Sequence, residues 1–145
     1  MENNCLIPYQ MIIILTKRRL YMTAKPPAES APKYFILDVD GVMTDGKFYY
    51  TKEGKVMKLF GSDDHDALCL LKPYLEISFV TGDHRGFDIS KKRIGEDMKM
   101  PIELVSTTKR VEWINENFNA DEVIYMGDGI FDHYVMSAVG YAIAP

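Results

Sequence analysis

A short apolar run that ends in two closely spaced carboxylates is the feature of this chain that most constrains its fold. Residues 34–37 are Tyr-Phe-Ile-Leu, and Asp38, Val39, Asp40 and Gly41 follow directly. Side chains alternate along a strand, so Asp38 and Asp40 project to the same side and bring two like charges together. Such a pair is costly unless a cation lies between the carboxylates or one of them keeps its proton. We therefore expect a buried strand whose end carries chemistry.

The remaining composition indicates a single globular domain with an extension. The chain has 145 residues, of which 47% are hydrophobic, enough for one core. The net charge of −4 provides no electrostatic attraction to nucleic acid or to an anionic membrane. The apolar run at 11–15 is too short to span a bilayer, and residues 25–32 are rich in proline. We expect residues 1–32 to form a flexible extension and residues 33–145 to form the domain.

The two cysteines indicate a reducing compartment. Cys5 and Cys69 are far apart in sequence and lie in different contexts. The neighbours of Cys69 are Ala, Leu and Leu, which predicts a thiol on the buried face of a helix rather than a disulfide. A cytoplasmic protein is the expectation that fits this pattern.

Short apolar runs alternate with stretches of helical spacing from residue 33 onward. The predicted strands are residues 34–37, 77–80, 102–105, 123–126 and 141–143, and the predicted helices are residues 64–72, 87–94, 109–117 and 131–139. This alternation predicts an α/β fold, a Rossmann-like parallel sheet flanked by helices. Two β-rich segments, 47–50 and 55–60, flank a turn at 51–54 and predict a hairpin over the end of the first strand.

Four of the five predicted strands lead into residues that suit phosphoryl transfer, at the strand ends where doubly wound sheets bind ligands. Asp38 can attack phosphorus as a nucleophile, and Asp40 can act as general acid and then as general base. The Thr81 hydroxyl and the Gly82 amide can bind phosphate oxygens. Lys109 can neutralise charge on the phosphate and on the nucleophile.

The acidic residues also suit a metal ion. Asp128 follows the fourth predicted strand and, with Asp38, offers the oxygen ligands that Mg²⁺ prefers. Asp132 lies four residues further on and can support the metal or Lys109, although a helix-capping role is an equally simple interpretation. His65 lies among acidic residues and suggests a second metal site, but carboxylates at a helix start explain that cluster more simply.

The order of these motifs resembles the haloacid dehalogenase superfamily of phosphohydrolases. The matching segments are Asp-x-Asp-Gly-Val at 38–42, Thr-Gly at 81–82, Lys109, and Gly-Asp-Gly-x-x-Asp at 127–132, and the resemblance covers essentially all of residues 33–145. It implies an aspartyl-phosphate mechanism with Mg²⁺ as cofactor. By this resemblance the catalytic residues are Asp38, Asp40, Thr81 and Lys109, the metal ligands are Asp38, Asp128 and the backbone carbonyl of Asp40, and the supporting residue is Asp132.

Within that superfamily the chain is similar to the 3-deoxy-manno-octulosonate 8-phosphate phosphatases, whose relatives act on nine-carbon sugar-acid phosphates. The similar segments are residues 38–46, the hairpin, and Lys-Leu-Phe at 58–60. Thr81 follows Asp38 by 43 residues and Lys109 follows Thr81 by 28, so no cap domain fits between the motifs. The resemblance implies a sugar-acid phosphate substrate of lipopolysaccharide or sialic-acid-type biosynthesis. It also implies a homotetramer in which a neighbouring subunit completes the pocket.

Two positions depart from the pattern of that subfamily. Asp63 and Asp83 stand where the subfamily usually has arginines, and we expect these changes to alter the recognition of an anionic sugar acid. Asp64 matches the pattern, and Lys91 lies near a substrate-contacting arginine of the family, so both are candidate substrate-binding residues.

Two other classes of function stay open. The domain could be a catalytically weak oligomerisation module of sugar-nucleotide biosynthesis, or a capless phosphatase of larger substrates such as phosphoproteins. A phosphatase of small sugar-acid phosphates is the function that the intact set of motifs favours.

Overall fold

A six-stranded sheet forms the centre of the molecule. The computed structural model describes residues 21–22 and 30–145. The strands are β1 (Tyr21–Met22), β2 (Tyr34–Asp38), β5 (Glu76–Thr81), β6 (Ile102–Leu104), β7 (Val123–Met126) and β8 (Tyr141–Ala144), in the order β1-β8-β7-β2-β5-β6. The five strands from β8 to β6 run parallel, and β1 pairs antiparallel with β8 at the edge. The predicted α/β fold class is therefore confirmed.

The chain reverses its direction across the sheet beside β2. From β2 it continues to β5 and then to β6 on one side, and it returns to β7 on the other side of β2. The carboxyl ends of β2 and β7 therefore flank the point where the strand order reverses. Open α/β sheets bind their ligands in the crevice at this point.

Helices cover both faces of the sheet. They are α1 (Asp63–Leu71), α2 (Phe87–Ser90), α3 (Arg110–Asn117) and α4 (Asp132–Ala138), with 3₁₀ turns at His84–Gly86, Thr107–Lys109 and Ala120–Glu122 and a π-helical turn at Lys91–Asp97. Strand alternation separates two apolar clusters: Phe35 and Leu37 lie in one and Ile36 in the other. The first cluster includes Leu68 of α1, and the second includes Ile114 of α3.

The predicted hairpin is present and forms a small sheet of its own. Its strands are β3 (Tyr49–Thr51) and β4 (Gly54–Met57), which pair antiparallel, with Thr51 opposite Gly54. Gly54 adopts a φ of 128°, a backbone conformation that L side chains rarely adopt, which explains a glycine at this turn. The hairpin connects β2 to α1, so it begins close to the end of β2.

The structure corrects one prediction and leaves others outside its range. Cys69 is exposed, so the predicted core thiol is wrong. Leu68 and Leu71 are the buried residues of that part of α1, and Cys69 is rotated by about 100° from Leu68 around the helix. The predicted flexible extension lies outside the described residues except at 21–22 and 30–32. In the described part of the chain, none of the helices has the length and apolar character to cross a bilayer.

Candidate active site

Asp38 is the last residue of β2 and lies at the centre of the site. It is buried, and its Oδ1 accepts a hydrogen bond of 2.7 Å from Nη2 of Arg110. Burial raises the pKa of the Asp38 carboxyl to about 7, although the Arg110 guanidinium acts in the opposite direction. Asp132 and Asp40 add to the rise through charge repulsion. The charge of Asp40, which the sequence places beside Asp38, thus makes a smaller contribution to the raised pKa of Asp38 than burial does.

Arg110 connects Asp38 to a second buried carboxylate. Its Nη1 donates to Oδ1 of Asp132 at 2.8 Å and to the Tyr125 hydroxyl at 2.7 Å. The Tyr125 hydroxyl in turn donates to the same Asp132 oxygen at 2.7 Å. Burial lowers the pKa of Arg110, but the neighbouring carboxylates, Asp38 first among them, raise it, and the net shift is upward. The guanidinium therefore keeps its charge. Burial also raises the pKa of Tyr125, which keeps the hydroxyl a neutral donor.

Three carboxylates gather where the ends of β2 and β7 meet. Asp38, Asp128 and Asp132 each offer an oxygen, and these oxygens all lie within 4.8 Å of one another. Gly41 makes room for this arrangement, because a Cβ at that position would overlap the Asp128 carboxylate. Its φ of 90° also favours glycine. Three hard oxygen donors next to one guanidinium leave an excess of negative charge, which fits a divalent cation such as Mg²⁺.

Asp40 lies beside the phosphate-binding candidate Thr81. The Thr81 hydroxyl donates to Oδ2 of Asp40 at 3.4 Å and accepts a hydrogen bond of 3.0 Å from the backbone N–H of Asp83. Lys58 also donates to Oδ2 of Asp40, at 2.9 Å. The carboxylate is therefore held from two directions, by β5 and by the segment after β4. Gly82 is exposed in the turn after Thr81.

Asp83 pairs with two lysines from the hairpin region. Its Oδ2 contacts Nζ of Lys58 at 2.8 Å and accepts a hydrogen bond from Nζ of Lys55. Burial raises the pKa of Asp83, but hydrogen bonds from Lys55 and Lys58 lower it more, so that the net shift is downward. The subfamily usually has an arginine at this position. This chain instead carries an ionised carboxylate there, paired with Lys55 and Lys58.

None of the contacts described for Lys109, Lys91 and Asp64 involves Asp38, Asp128 or Asp132. Lys109 is 67% exposed, and its Nζ pairs with Glu112 at 2.6 Å, whereas the next residue, Arg110, reaches Asp38. Lys109 ends a 3₁₀ turn and Arg110 begins α3, and neighbouring helical side chains point about 100° apart. Lys91 is exposed. The pKa of Asp64 is raised by burial and by Asp63 and is lowered by Arg93, which places Asp64 near the π-helical turn.

Sequence reasoning missed four members of the site, namely Lys55, Lys58, Arg110 and Tyr125. Arg110 had a usable signal, because it is a cation next to the predicted Lys109 and a helix start can present either residue. Tyr125 lies inside an apolar strand and gave no signal. Lys55 and Lys58 belong to a hairpin whose docking only the tertiary structure shows.

The chain resembles known phosphatases in sequence and in fold. No family model matches the chain. Among curated proteins it is similar to the 3-deoxy-D-manno-octulosonate 8-phosphate phosphatase KdsC of Yersinia pestis, with 28% identity over 123 residues. The alignment covers 77% of this chain and 62% of that protein, so the chain spans less than two thirds of the curated relatives it matches.

Solved structures show the same fold. The cobalt-bound form of the deoxy-D-mannose-octulosonate 8-phosphate phosphatase of Haemophilus influenzae has a TM-score of 0.64 at 24% identity, covering 77% of this chain and 67% of that one. The Moraxella catarrhalis 3-deoxy-D-manno-octulosonate 8-phosphate phosphatase, in complex with magnesium ion, phosphate ion and KDO, has a TM-score of 0.59 at 24% identity, covering 75% and 64%. The predicted resemblance to this superfamily and subfamily is confirmed.

Proposed function

We propose that this chain is a divalent-metal-dependent phosphomonoesterase that hydrolyses a small sugar phosphate through an aspartyl-phosphate intermediate. One observation carries the proposal. The buried carboxylate of Asp38 lies at the end of β2, is hydrogen-bonded to Arg110 at 2.7 Å, and offers an oxygen within 4.8 Å of those of Asp128 and Asp132. A nucleophile, a phosphate-neutralising cation and a set of hard metal ligands thus share one crevice.

The two carboxylates of the first motif divide the chemistry. A carboxylate oxygen of Asp38 attacks phosphorus, and the bond from phosphorus to the leaving oxygen breaks as Asp40 donates a proton to that oxygen. In the second step water attacks phosphorus, gives a proton to Asp40, and the bond to Asp38 breaks to release phosphate. The contacts of Asp40 with Thr81 and Lys58 keep its carboxylate in place for both transfers.

The surrounding donors bind and orient the phosphoryl group. The Thr81 hydroxyl and the exposed backbone of Gly82 are the donors that we assign to phosphate oxygens. Arg110 is the cation beside the nucleophile, and its fork holds Asp38 and Asp132 at once. Lys109 remains a predicted phosphate ligand from the family resemblance, although its ammonium pairs with Glu112.

Asp38, Asp128 and Asp132 are the side chains that would hold Mg²⁺, with the backbone carbonyl of Asp40 as the further ligand that the resemblance implies. When bound, Mg²⁺ supplies positive charge that offsets the repulsion among these carboxylates and the phosphate. Relatives of the same fold include a cobalt-bound and a magnesium-bound phosphatase. Asp132 therefore joins the predicted metal set, beside its contact with Arg110.

The substrate that we propose is 3-deoxy-octulosonate 8-phosphate or a nine-carbon relative, as the similarity to the Yersinia pestis phosphatase favours. We propose a cytoplasmic homotetramer, with Asp64 and Lys91 as candidate contacts to the sugar. The hairpin supports self-association, because several of its large apolar side chains are exposed. No cap domain is expected, so a neighbouring subunit would complete the pocket.

Replacing the nucleophile tests the proposal. Asp38→Asn should reduce hydrolysis of p-nitrophenyl phosphate by about 10³-fold or more, because the amide cannot form the phosphoenzyme. The matched control is Asp121→Asn, an exposed aspartate in the 3₁₀ turn that precedes β7 and hence at the opposite end of that strand from the site. Wild-type turnover in Asp38→Asn would refute the mechanism.

Metal removal provides a second test. We expect dialysis against EDTA to abolish turnover and added Mg²⁺ to restore it, because the carboxylate cluster must otherwise repel a phosphate dianion. Turnover that persists in EDTA contradicts the proposed metal site. A wild-type protein that is tetrameric and saturated with Mg²⁺ but hydrolyses no ester in a phosphorylated-metabolite screen would instead favour the oligomerisation module.

A further inference from the structure

Lys58 is a buried lysine in the Lys-Leu-Phe segment at 58–60, to which the sequence assigned no role, and it connects the hairpin region to the first catalytic loop. Its side chain is 0% exposed, a costly location for an ammonium group unless acceptors surround it. Nζ donates to Oδ2 of Asp40 and to Oγ of Ser90, both at 2.9 Å, and it contacts Oδ2 of Asp83 at 2.8 Å. Every one of the three ammonium protons thus has an acceptor in reach.

Asp83 completes a compact group of two cations and two anions. Lys55 and Lys58 both pair with Asp83, and Lys58 also pairs with Asp40. Lys55 has a further stabilising contact, since its Nζ lies 3.4 Å from the centre of the Phe48 ring. We refer to Lys55, Lys58, Asp40 and Asp83 as the lysine clasp. While Asp40 is ionised, the formal charges of the clasp balance, and no uncompensated ion is buried.

The backbone around the clasp is shaped to admit it. Gly86 lies directly against the clasp, and a Cβ at that position would come within 2.7 Å of Cε of Lys58 and 2.8 Å of Cδ of Lys55 and would overlap the Asp83 carboxylate. The Ser90 hydroxyl that accepts from Lys58 is buried and donates to the Gly86 carbonyl at 3.4 Å. Packing of this closeness leaves the Lys55 and Lys58 side chains little room to move.

We propose that Lys58 is a positioning residue for Asp40 and that Asp83 holds Lys58 in the position from which it does so, with Lys55 as a second partner of Asp83. The proposal rests on the proposed function in that Asp40 is the proton donor and acceptor of the phosphatase. Lys58 acts through Asp40 rather than on the phosphoryl group. It restricts the Asp40 carboxylate to the orientation that also faces the Thr81 hydroxyl, and it joins that orientation to the docking of the hairpin region.

The kinetic test separates positioning from simple fastening of the hairpin. With p-nitrophenyl phosphate and saturating Mg²⁺, Lys58→Met should lower kcat about 10²-fold while KM changes by less than about threefold, because misplacing a catalytic group costs that much. Lys58→Arg should recover at least about tenfold of the loss, since it keeps the charge. Lys55→Met, which loses only the contacts with Asp83 and Phe48, should lower kcat by less than about tenfold.

Lys52→Met is the matched control on the same hairpin, because Lys52 is 91% exposed and pairs only with its neighbour Glu53 among the contacts described. It should leave kcat unchanged. A folded Lys58→Met protein that keeps wild-type kcat overturns the proposal. Equal losses in Lys55→Met and Lys58→Met also overturn it, because they would assign the effect to the hairpin alone.

A spectroscopic measurement tests the contact even if the wild-type protein hydrolyses none of the esters. In ¹⁵N-labelled full-length protein, a buried and hydrogen-bonded Lys58 ammonium should give a slowly exchanging side-chain signal, assigned by its loss in Lys58→Arg. Asp40→Asn should shift that signal, and Lys52→Met should not. Absence of the signal, or a signal that ignores Asp40→Asn, refutes the contact independently of catalysis.

Discussion

Buried charge is what distinguishes the residues of this site from ordinary strand and loop residues. Asp38, Asp132 and Arg110 are all buried, and each is hydrogen-bonded to at least one of the others. A buried charge that loses its partner is strongly destabilising, so such groups persist only in a mutually satisfied network. The network therefore fixes Asp38, the proposed nucleophile, before any substrate arrives, which is the condition for electrostatic stabilisation without reorganisation.

Arg110 and Lys109 provide a direct comparison of a buried and an exposed cation at adjacent positions. Arg110→Met should lower kcat/KM by about 10²-fold or more, because it removes the charge beside the nucleophile and leaves Asp38 and Asp132 without their shared donor. Lys109→Met should lower kcat/KM less than Arg110→Met does, because the described contact of the Lys109 ammonium is with Glu112 rather than with Asp38. Steady-state kinetics with Mg²⁺ measures both.

Arg110→Lys refines this prediction. A lysine ammonium cannot donate to Asp38 and Asp132 with the fork geometry of a guanidinium, so only part of the activity should remain. Urea denaturation of each variant shows whether the loss is one of folding. If Lys109→Met loses more activity than a folded Arg110→Met, Lys109 is the phosphate-neutralising residue, as the family pattern implied.

The five parallel strands were predictable from the sequence to within one or two residues, whereas β1 was not predicted. β7 covers the residues expected, and β2 and β5 each continue one residue further than expected, to the polar residues Asp38 and Thr81 of the site. In a sequence, a parallel strand buried on both faces is a continuous apolar run, and here the run ends at the polar residues of the site. Helix boundaries were less certain: the helix expected at 87–94 is a succession of 3₁₀, α and π turns that extends to Asp97.

The site residues that follow strands were predictable from the sequence. Those whose place in the site depends on the direction of a helical side chain were less predictable. Asp38, Asp40, Thr81 and Asp128 follow strands, and the parallel topology brings strand ends to one edge. Lys109 and Arg110 lie after a loop, at the start of a helix. There, a shift of one residue in the predicted helical phase exchanges an exposed position for a buried one. The phase error at Cys69 has the same origin. Periodicity alone does not set the phase of a short helix.

The hairpin is the element whose exposed surface remains to be explained. Tyr49 and Met57 are cross-strand partners and are 42% and 52% exposed. An isolated two-stranded hairpin is marginally stable in water, and large exposed apolar patches mark association sites. The lysine clasp fastens one side of this region to the domain. We therefore predict that a second copy of the chain covers the remaining exposed apolar side chains of the hairpin.

A charge-paired double variant tests this prediction. Tyr49→Glu combined with Met57→Lys places opposite charges on facing residues, which preserves the hairpin while making its surface polar. We expect light scattering to give a tetramer mass for the wild type and a smaller species for the variant. Leu70→Glu is the control, because Leu70 is a comparably exposed apolar residue on α1, away from the hairpin. An unchanged mass in the double variant would place the interface elsewhere.

In the domain as a whole, stability is lowered by the charged crevice at the point where the strand order of the sheet reverses. Two apolar clusters, one on each face, stabilise a sheet whose central strand ends in Asp38. Burial and repulsion raise the pKa of this carboxyl to about 7, so the native state without metal binds a proton that an unfolded chain, with a pKa near 3.8, has already released. Global stability is therefore linked to the protonation of a single catalytic group.

The sign of that linkage gives a prediction for the metal-free protein. Below the unfolded pKa both states are protonated and the contribution of Asp38 is at its most favourable. As the pH rises from about 4 to 7 the unfolded state gains stability relative to the native state, by at most about 4 kcal/mol for a shift of this size. Asp38→Asn removes the titrating group, so the variant should become progressively more stable than wild type over this range.

Urea denaturation in EDTA at several pH values between 4 and 7.5 measures this difference, and the other carboxylates largely cancel because both proteins contain them. Saturating Mg²⁺ should reduce the difference at neutral pH, since a cation that binds the ionised form of Asp38 in the native state stabilises that state by mass action. A stability difference between the two proteins that is independent of pH in EDTA would mean that Asp38 is already ionised without a metal. In that case Arg110 alone, rather than a bound cation, would be enough to hold the nucleophile in its reactive form.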